Sequence, residues 1–253
     1  RMTTAPATRA RPGAGAPASV GLRLDGVTFR YGRYAAPVVD RLSLTVPPDG
    51  HLAVVGPSGI GKSTLSRLVS GELRPESGTV SLGGTPVSQL DPALRHRLVA
   101  VIPQEAYVFA GTLRENLRYL AGPGPDSELD AAAAATGLAP VVARVGGYDA
   151  VLGPDGEDLP AGARQLVALT RVHLSAARLV ILDEATCHLD PATEAQVERA
   201  FAARPGLLVV IAHRLGSARR ARQVLVLGEA EPVVGTPAEV LAASPLYAEL
   251  ADH

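Results

Sequence analysis

The segment Gly56-Pro57-Ser58-Gly59-Ile60-Gly61-Lys62-Ser63-Thr64 has the residue types and spacing to hold a phosphate. It matches the pattern G-x-x-x-x-G-K-S/T, in which glycines let consecutive backbone N–H groups curl around an anion without interference from a Cβ. The helical pattern that starts at Ser63 would present unpaired N–H donors and a positive dipole end to the same anion. Lys62 would bring a point charge to the terminal phosphate oxygens, and Ser63 a hydroxyl to Mg²⁺. Among 24 basic side chains Lys62 is the lone lysine. A coding bias toward arginine accounts for most of that imbalance. Even so, a compact ammonium and a planar guanidinium do different work, which singles out Lys62. The second candidate group ends the apolar run Leu179-Val180-Ile181-Leu182 with two carboxylates, Asp183 and Glu184. Buried charges need partners. Asp183 fits the acid on the Mg²⁺ side, and Glu184 the group that polarises an attacking water.

These groups need elements to position them. Short β-rich runs at Leu22–Phe29, Leu42–Val46 and His51–Val55, split by Gly/Pro turns, read as antiparallel strands at an edge. A helix Ser63–Val69 and a strand Val99–Ile102 follow. Between Gln104 and Ala177 the character is helical, with helices predicted at Thr112–Leu120, Ser127–Thr136 and Ala161–Ala176; in the last, Leu166, Leu169, Val172 and Ala176 recur every three to four residues. The wholly apolar runs Leu179–Leu182 and Leu207–Ile211 predict strands in a sheet covered on both faces by helices, with a helix Pro191–Ala202 between them. Strands Val224–Leu227 and Glu231–Val234 and a helix Pro237–Ala243 close the chain. The expected class is α/β: a mostly parallel sheet flanked by helices, with an antiparallel β subdomain and an inserted helical subdomain over about residues 105–177. Residues 20–253 are expected to form this unit. Arg1–Ser19, nearly devoid of bulky apolar side chains, is expected to be a disordered linker or tail. Arg1 ahead of Met2 suggests an expression remnant or an excerpt of a longer chain.

Bulk properties narrow the field. At 253 residues, 47% hydrophobic and 19% charged, the chain can bury a sizeable core and has an ordinary globular composition. A net charge of −1 supplies no basic field for nucleic acid. The single cysteine, Cys187, excludes a disulfide framework and a multi-cysteine zinc site. No apolar run approaches the roughly 20 residues that span a bilayer, and no signal peptide is visible. An intracellular globular protein is the expectation. His51, His96, His173, His188 and His253 lack metal-ligand spacing and read as surface or structural. Cys187 beside His188 allows a thiolate pair, but tight packing of a small residue is the favoured reading.

Taken together, the two phosphate-site motifs and the segments between them resemble the nucleotide-binding domain of an ABC transporter, over roughly Leu22 to Asp252. The order of segments carries the likeness. Phe29-Arg30-Tyr31 sits where that family places an aromatic against adenine, so the resemblance makes Tyr31 the stacking residue. Pro103-Gln104-Glu105 and the stretch to Asn116 are similar to the Q-loop of exporter-type domains, which implies that Gln104 touches Mg²⁺ or the water and relays contact with a membrane domain. Ala185-Thr186-Cys187-His188-Leu189-Asp190 occupies the D-loop position, with Asp190 its acid. Ile211-Ala212-His213-Arg214-Leu215 occupies the switch-histidine position, so His213 would bond the γ-phosphate and orient the water. The resemblance implies ATP and Mg²⁺ as ligands, held by Pro57 to Thr64 and by Ser63, Gln104 and Asp183. Catalysis would fall to Lys62, Glu184, His213 and Gln104, at the cytoplasmic face of the cell membrane.

One segment departs from the family. Where the family's signature reads LSGGQ, this chain has Leu159-Pro160-Ala161-Gly162-Ala163. In the family that segment starts a helix that caps the γ-phosphate of an ATP held by the opposite subunit. Pro160, taken as the first helical residue, removes a hydroxyl and an N–H, and Ala161 adds a Cβ where close approach is needed. The signature is therefore expected to be catalytically poor while the phosphate side is complete. Half of a heterodimeric exporter has this asymmetry, so the implied partners are the transporter's transmembrane domain and a second, different nucleotide-binding domain with an intact signature. A nucleotide-gated binding module with little turnover is the alternative. Glu184 and His213 argue against it, and the short interval from Gln104 to Ala177 argues against the soluble relatives that act on DNA or ribosomes.

Overall fold

A computed structural model describes residues 20–212 and 214–251; the tail expected over Arg1–Ser19 lies outside the described residues. Alternation builds the first layer. Strands β1 (Leu22–Phe29) and β2 (Val39–Val46) bury Leu22, Leu24, Val27, Leu42, Leu44 and Val46 and turn Arg23, Asp25, Arg41 and Ser43 to solvent. Strand β3 (His51–Val55) is buried at every position and runs into helix α1 (Lys62–Val69). Strands β4 (Ser77–Leu82) and β5 (Thr85–Pro86) return to the first layer, whose order is β2-β1-β4-β5, antiparallel throughout. Helix α2 (Pro92–Leu98), capped by the Asp91 carboxylate, leads into β6 (Val99–Ile102).

Helices dominate the next stretch. The short strand β7 (Gly111–Thr112) precedes α3 (Leu113–Arg118), whose first turn is closed by a reciprocal Thr112–Glu115 capping box. Then come α4 (Asp126–Thr136), α5 (Ala139–Val145), β8 (Val151–Leu152), which pairs with β7, and α6 (Ala161–Leu174), against which α3 and α4 pack. The remainder alternates: β9 (Leu179–Asp183), α7 (Pro191–Ala202), β10 (Leu207–Ile211), α8 (Leu215–Arg220), β11 (Gln223–Val226), β12 (Val233–Gly235), α9 (Pro237–Ala243) and α10 (Pro245–Ala251).

The main sheet has the order β12-β11-β3-β10-β9-β6, parallel except for β12. This corrects one expectation. His51–Val55 is no antiparallel edge strand; it lies inside the parallel sheet, flanked by β10 and β11. Its run Leu52-Ala53-Val54-Val55 is as unbroken as Leu179–Leu182 and carried the same signal of a strand covered on both faces, but the Gly/Pro turns around it grouped it with the antiparallel strands. Helices α2, α5, α8 and α10 and strand β4 were not expected either. Each spans six or seven residues, too few for a period to stand out.

Successive residues of the parallel strands feed two different cores, which explains their unbroken apolar runs. Leu52, Val54, Leu179, Ile181, Val209 and Ile211 pack against the antiparallel layer and α1, while Ala53, Val55, Val180, Leu182, Leu208 and Val210 pack toward the helices on the other face. Register then gathers the site. Ile211 pairs with Val54 on one side and Asp183 on the other, so the loops after β3, β10 and β9 leave the same edge of the sheet.

His51, at the head of β3, makes the core sensitive to acid. Burial, aided by the charges of Arg220 and Arg222, pushes its pKa from 6.5 down to about 4. The unfolded chain therefore takes up this proton near pH 6.5 and the folded chain only near pH 4. Stability present above pH 6.5 should fall as pH drops through that window, by about 3 kcal/mol from this group. His173, lowered to about 4 chiefly by burial, adds in the same direction. Urea midpoints of the parent chain and of His51→Leu at pH 7 and pH 4.5 check this. The parent should lose more on acidification, and equal losses would remove His51 from the account.

Candidate functional site

The loop after β3 is built on glycine at two points where no other residue fits. A Cβ on Gly56 (φ +148°) would stand 2.3 Å from the Leu227 carbonyl oxygen, and one on Gly61 (φ +111°) 2.6 Å from Val38 Cγ1. The loop ends at the N-terminus of α1, with Gly61 as the N-cap and no side chain closing the first turn. Lys62 is buried, and its Nζ donates to the carbonyls of Gly56 (2.7 Å) and Pro57 (2.9 Å), so the ammonium lies over the loop that precedes it. Thr64 is also buried, and its Oγ1 lies 3.0 Å from the hydroxyl of Tyr31. The Tyr31 ring is 60% exposed and stands edge-on to Phe29 with centroids 5.0 Å apart. Pro57, Ser58 and Gly59 are exposed and Ile60 half-buried, forming the outer rim of the loop.

The two carboxylates stand at the end of β9. Ser63 Oγ donates to Asp183 Oδ1 at 3.2 Å, which joins two motifs 120 residues apart in the chain. Burial raises the pKa of Asp183, partly offset by the hydroxyls of Ser66 and Ser63 and by Lys62; the charge of Glu184 adds to the rise. Burial lowers that of Lys62, against the pull of Glu184 and Asp183. Both charges are short of solvation. An anion on the loop and a cation beside Asp183 would each relieve one of them, so the site fits a phosphate chain carrying Mg²⁺, for which a hydroxyl and a carboxylate are suitable hard donors. Glu184 adopts φ +58°, left-handed backbone that costs a residue other than glycine about 1–3 kcal/mol. Such strain at the mouth of a strand is what a residue held for chemistry tolerates.

The other expected residues divide. Gln104 is exposed and engaged through its main-chain carbonyl, which accepts a bond from Gln165. Asp190 is the N-cap of α7: Oδ1 accepts from the Ala192 and Thr193 amides, both at 3.0 Å, and the hydroxyl of Thr193, more than these amides, holds its pKa below the usual carboxylate range. His213 lies outside the described residues. The chain on either side of it is anchored, Ala212 N–H to the Val54 carbonyl at 2.9 Å and Arg214 Nη1 to the Leu189 carbonyl (3.1 Å) and to buried Glu194 (2.8 Å). Cys187 Sγ is 3.2 Å from His188 Nδ1, so the two side chains do meet, although packing was the favoured reading.

The signature segment differs from expectation in two ways. Pro160 (φ −56°, ψ 153°) is the N-cap of α6 and not its first helical residue, and it offers no side-chain cap. Ala163 is 6% exposed and packs into the chain's own core, so it presents nothing to a neighbour. Ala161 and Gly162 remain half-buried at the helix start, and a Cβ on Gly162 would come within 3.0 Å of the His188 carbonyl oxygen. Sequence reasoning also missed Gln165, buried behind this segment, and the ion pairs of Glu194 and Glu198 with Arg214 and Arg220 that tie α7 to the chain after β10. A polar residue on the apolar face of a predicted helix was the available signal.

Residues 39–187 match the family model described as ABC transporter. The chain belongs to the ABC transporter family. It is 53% identical over 236 residues to the ABC transporter ATP-binding protein RamB of Streptomyces coelicolor, covering 93% of this chain and 38% of that protein. It is 42% identical over 240 residues to the mycobactin import ATP-binding/permease protein IrtB of Mycolicibacterium thermoresistibile, covering 92% and 40%. Among solved structures it superposes on a bacterial Atm1-family ABC exporter with ATP bound, with a TM-score of 0.85 and 30% identity over 96% of this chain and 44% of the other. The chain thus spans about two fifths of the length of the curated relatives it matches. It is an ATP-binding domain of the ABC ATPase class with the P-loop NTPase fold. Among the described residues no helix is long and apolar enough to cross a membrane.

Proposed function

We propose that the chain is the MgATP-hydrolysing motor of an ABC exporter and works as one half of an asymmetric pair of nucleotide-binding domains. One observation carries the reading. The phosphate side is complete, with Lys62 over its loop and Ser63 joined to Asp183 at 3.2 Å, whereas the helix offered to a partner's nucleotide starts at an uncapping proline. In this reading Pro57 to Thr64 bind the phosphates, Tyr31 stacks on adenine, and Ser63, Asp183 and Gln104 hold Mg²⁺. The bound Mg²⁺ neutralises charge on the β- and γ-phosphates. Glu184 and His213 orient the water, and Lys62 stabilises the charge that develops on the transferred group. Asp190, which caps α7, shapes the loop that meets the partner domain. Pro160, Ala161 and Gly162 face the partner's ATP, with Ala161 and Gly162 closest, while Ala163 packs into the chain's own core.

The surroundings are part of the proposal. Residues 105–177 act as the helical subdomain of an ATPase domain spanning 20–253. Gln104 and the stretch to Asn116 pass movement to a transmembrane domain that places the chain on the cytoplasmic face of the cell membrane. Nucleic acid is not a partner, since the net charge of −1 gives it no field. Export as the direction is favoured by the exporter-like Gln104–Asn116 stretch, although one relative's name specifies import. The deciding experiment measures ATP hydrolysis by the purified chain against its own concentration, with nucleotide binding in parallel. Tight MgATP binding with negligible turnover at every concentration is expected. Turnover rising with the square of concentration would mean that Pro160–Ala163 works between identical copies, and the asymmetric pair would fall.

A further inference from the structure

We propose that Gln165 is a positioning residue that locks the main chain at Gln104 to the turn after Glu184, so that two sides of the nucleotide site move together; this rests on the ATPase reading above. The side chain is 1% exposed and belongs to the helix that begins with the signature segment. Its amide addresses two loops at once. Nε2 donates to the Gln104 carbonyl at 3.0 Å and to Cys187 Sγ at 3.5 Å. Oε1 accepts from the His188 N–H at 3.2 Å. The partners lie 61, 22 and 23 residues away in the chain, so nothing local requires the arrangement.

The chemistry of the set is restrictive. It needs a donor and an acceptor on one planar end group of this length. A glutamate would set a carboxylate oxygen against the Gln104 carbonyl, and a leucine would leave that carbonyl and the His188 amide without the partner they now have. The functional consequence follows from where the two loops lead. One begins with Gln104, assigned above to Mg²⁺ and the water, and the other with Glu184, assigned to the water. The link runs through α6, so displacement of that helix by a partner domain reaches both residues through one side chain. No bond of Gln165 goes to the phosphate loop, where Lys62 is held by Gly56 and Pro57. Gln165 should therefore govern turnover and not ATP affinity.

The test uses the intact transporter that contains this chain, reconstituted in lipid, with Gln165→Glu and Gln165→Leu. The readouts are binding of a fluorescent ATP analogue, kcat and KM for MgATP, the Tm of the assembly, and hydrogen exchange in peptides covering residues 104–107 and 187–190. In the parent, MgATP should raise protection in both peptides together. In Gln165→Glu, kcat should fall about tenfold, the effect of losing one buried hydrogen bond, with KM and analogue affinity changed by less than about twofold. The two peptides should then respond separately. An unchanged kcat in a folded variant overturns the proposal, and so does a parallel loss of kcat, affinity and Tm, which marks a structural glutamine only. Should the parent bind MgATP without turning it over, the hydrolysis reading fails by itself. The exchange data still decide then: separated protection in the variants supports the link, and unchanged joint protection overturns it.

Discussion

Glu184→Gln is expected to leave MgATP binding within about twofold of the parent and to slow hydrolysis by roughly 10²–10⁴-fold, the range removed with a positioned general base. The reasoning starts from geometry. Glu184 follows Asp183 at the end of a central parallel strand, at the edge where the phosphate loop and the chain after β10 also emerge. Its backbone is held at φ +58°, and glutamine tolerates that conformation no better and no worse, so the substitution changes charge and proton affinity without reshaping the turn. Lys62 keeps its two carbonyl partners and Ser63 keeps Asp183, and those groups were assigned the binding of nucleotide and Mg²⁺. Single-turnover hydrolysis in the assembled transporter, with equilibrium binding measured alongside, separates the two effects. Hydrolysis at the parental rate would strip Glu184 of its role. Equal losses of binding and rate would make it a structural residue.

The second large effect runs the other way. Pro160→Ser combined with Ala161→Gly should raise the second-order turnover of the isolated chain by about two to four decades. A hydroxyl and a backbone N–H absent from the present signature would each bond a charged phosphate, at about 1.5–3 kcal/mol apiece. Because Pro160 is the N-cap, serine there would also accept a bond from its own helix when no nucleotide is opposed, stabilising α6 by about 1 kcal/mol. Ala163→Gln would not help: that position is buried in the chain's own core, and a glutamine would have to be forced into it. Turnover against chain concentration gives the answer. If the double variant hydrolyses no faster than its parent while binding MgATP equally well, the poor signature is not what limits the isolated chain.

Some of this was legible without coordinates because it is local. The phosphate loop is a run of nine residues whose glycines and lysine act through their own backbone and charge, and Gly56 and Gly61 do occupy positions that admit no Cβ. The strand-then-carboxylate pattern at Leu179–Glu184 likewise carries its meaning in adjacent residues, and unbroken apolar runs correctly signalled a sheet covered on both faces. Family membership follows from the order of such segments, which the comparisons bear out.

Tertiary structure decided what depends on pairing and on rotation about a helix axis. The apolar run of His51–Val55 signals burial on both faces but not its neighbours; its place between β10 and β11 comes from partners more than 150 residues away. Whether Ala163 faced a neighbour or the interior depended on where α6 begins, and Pro160 as N-cap rotates the following positions accordingly. Asp190 was legible as the cap of the predicted helix Pro191–Ala202, although it was read only as the D-loop acid, whereas Gln165 became recognisable as a bridge only once two distant loops met over it. The sequence by itself determined the chemistry, because reactive groups and their backbone demands are written in neighbouring residues. The structure determined the couplings between them, because hydrogen bonds across 20 to 120 residues of chain are chosen by packing and leave no local pattern to read.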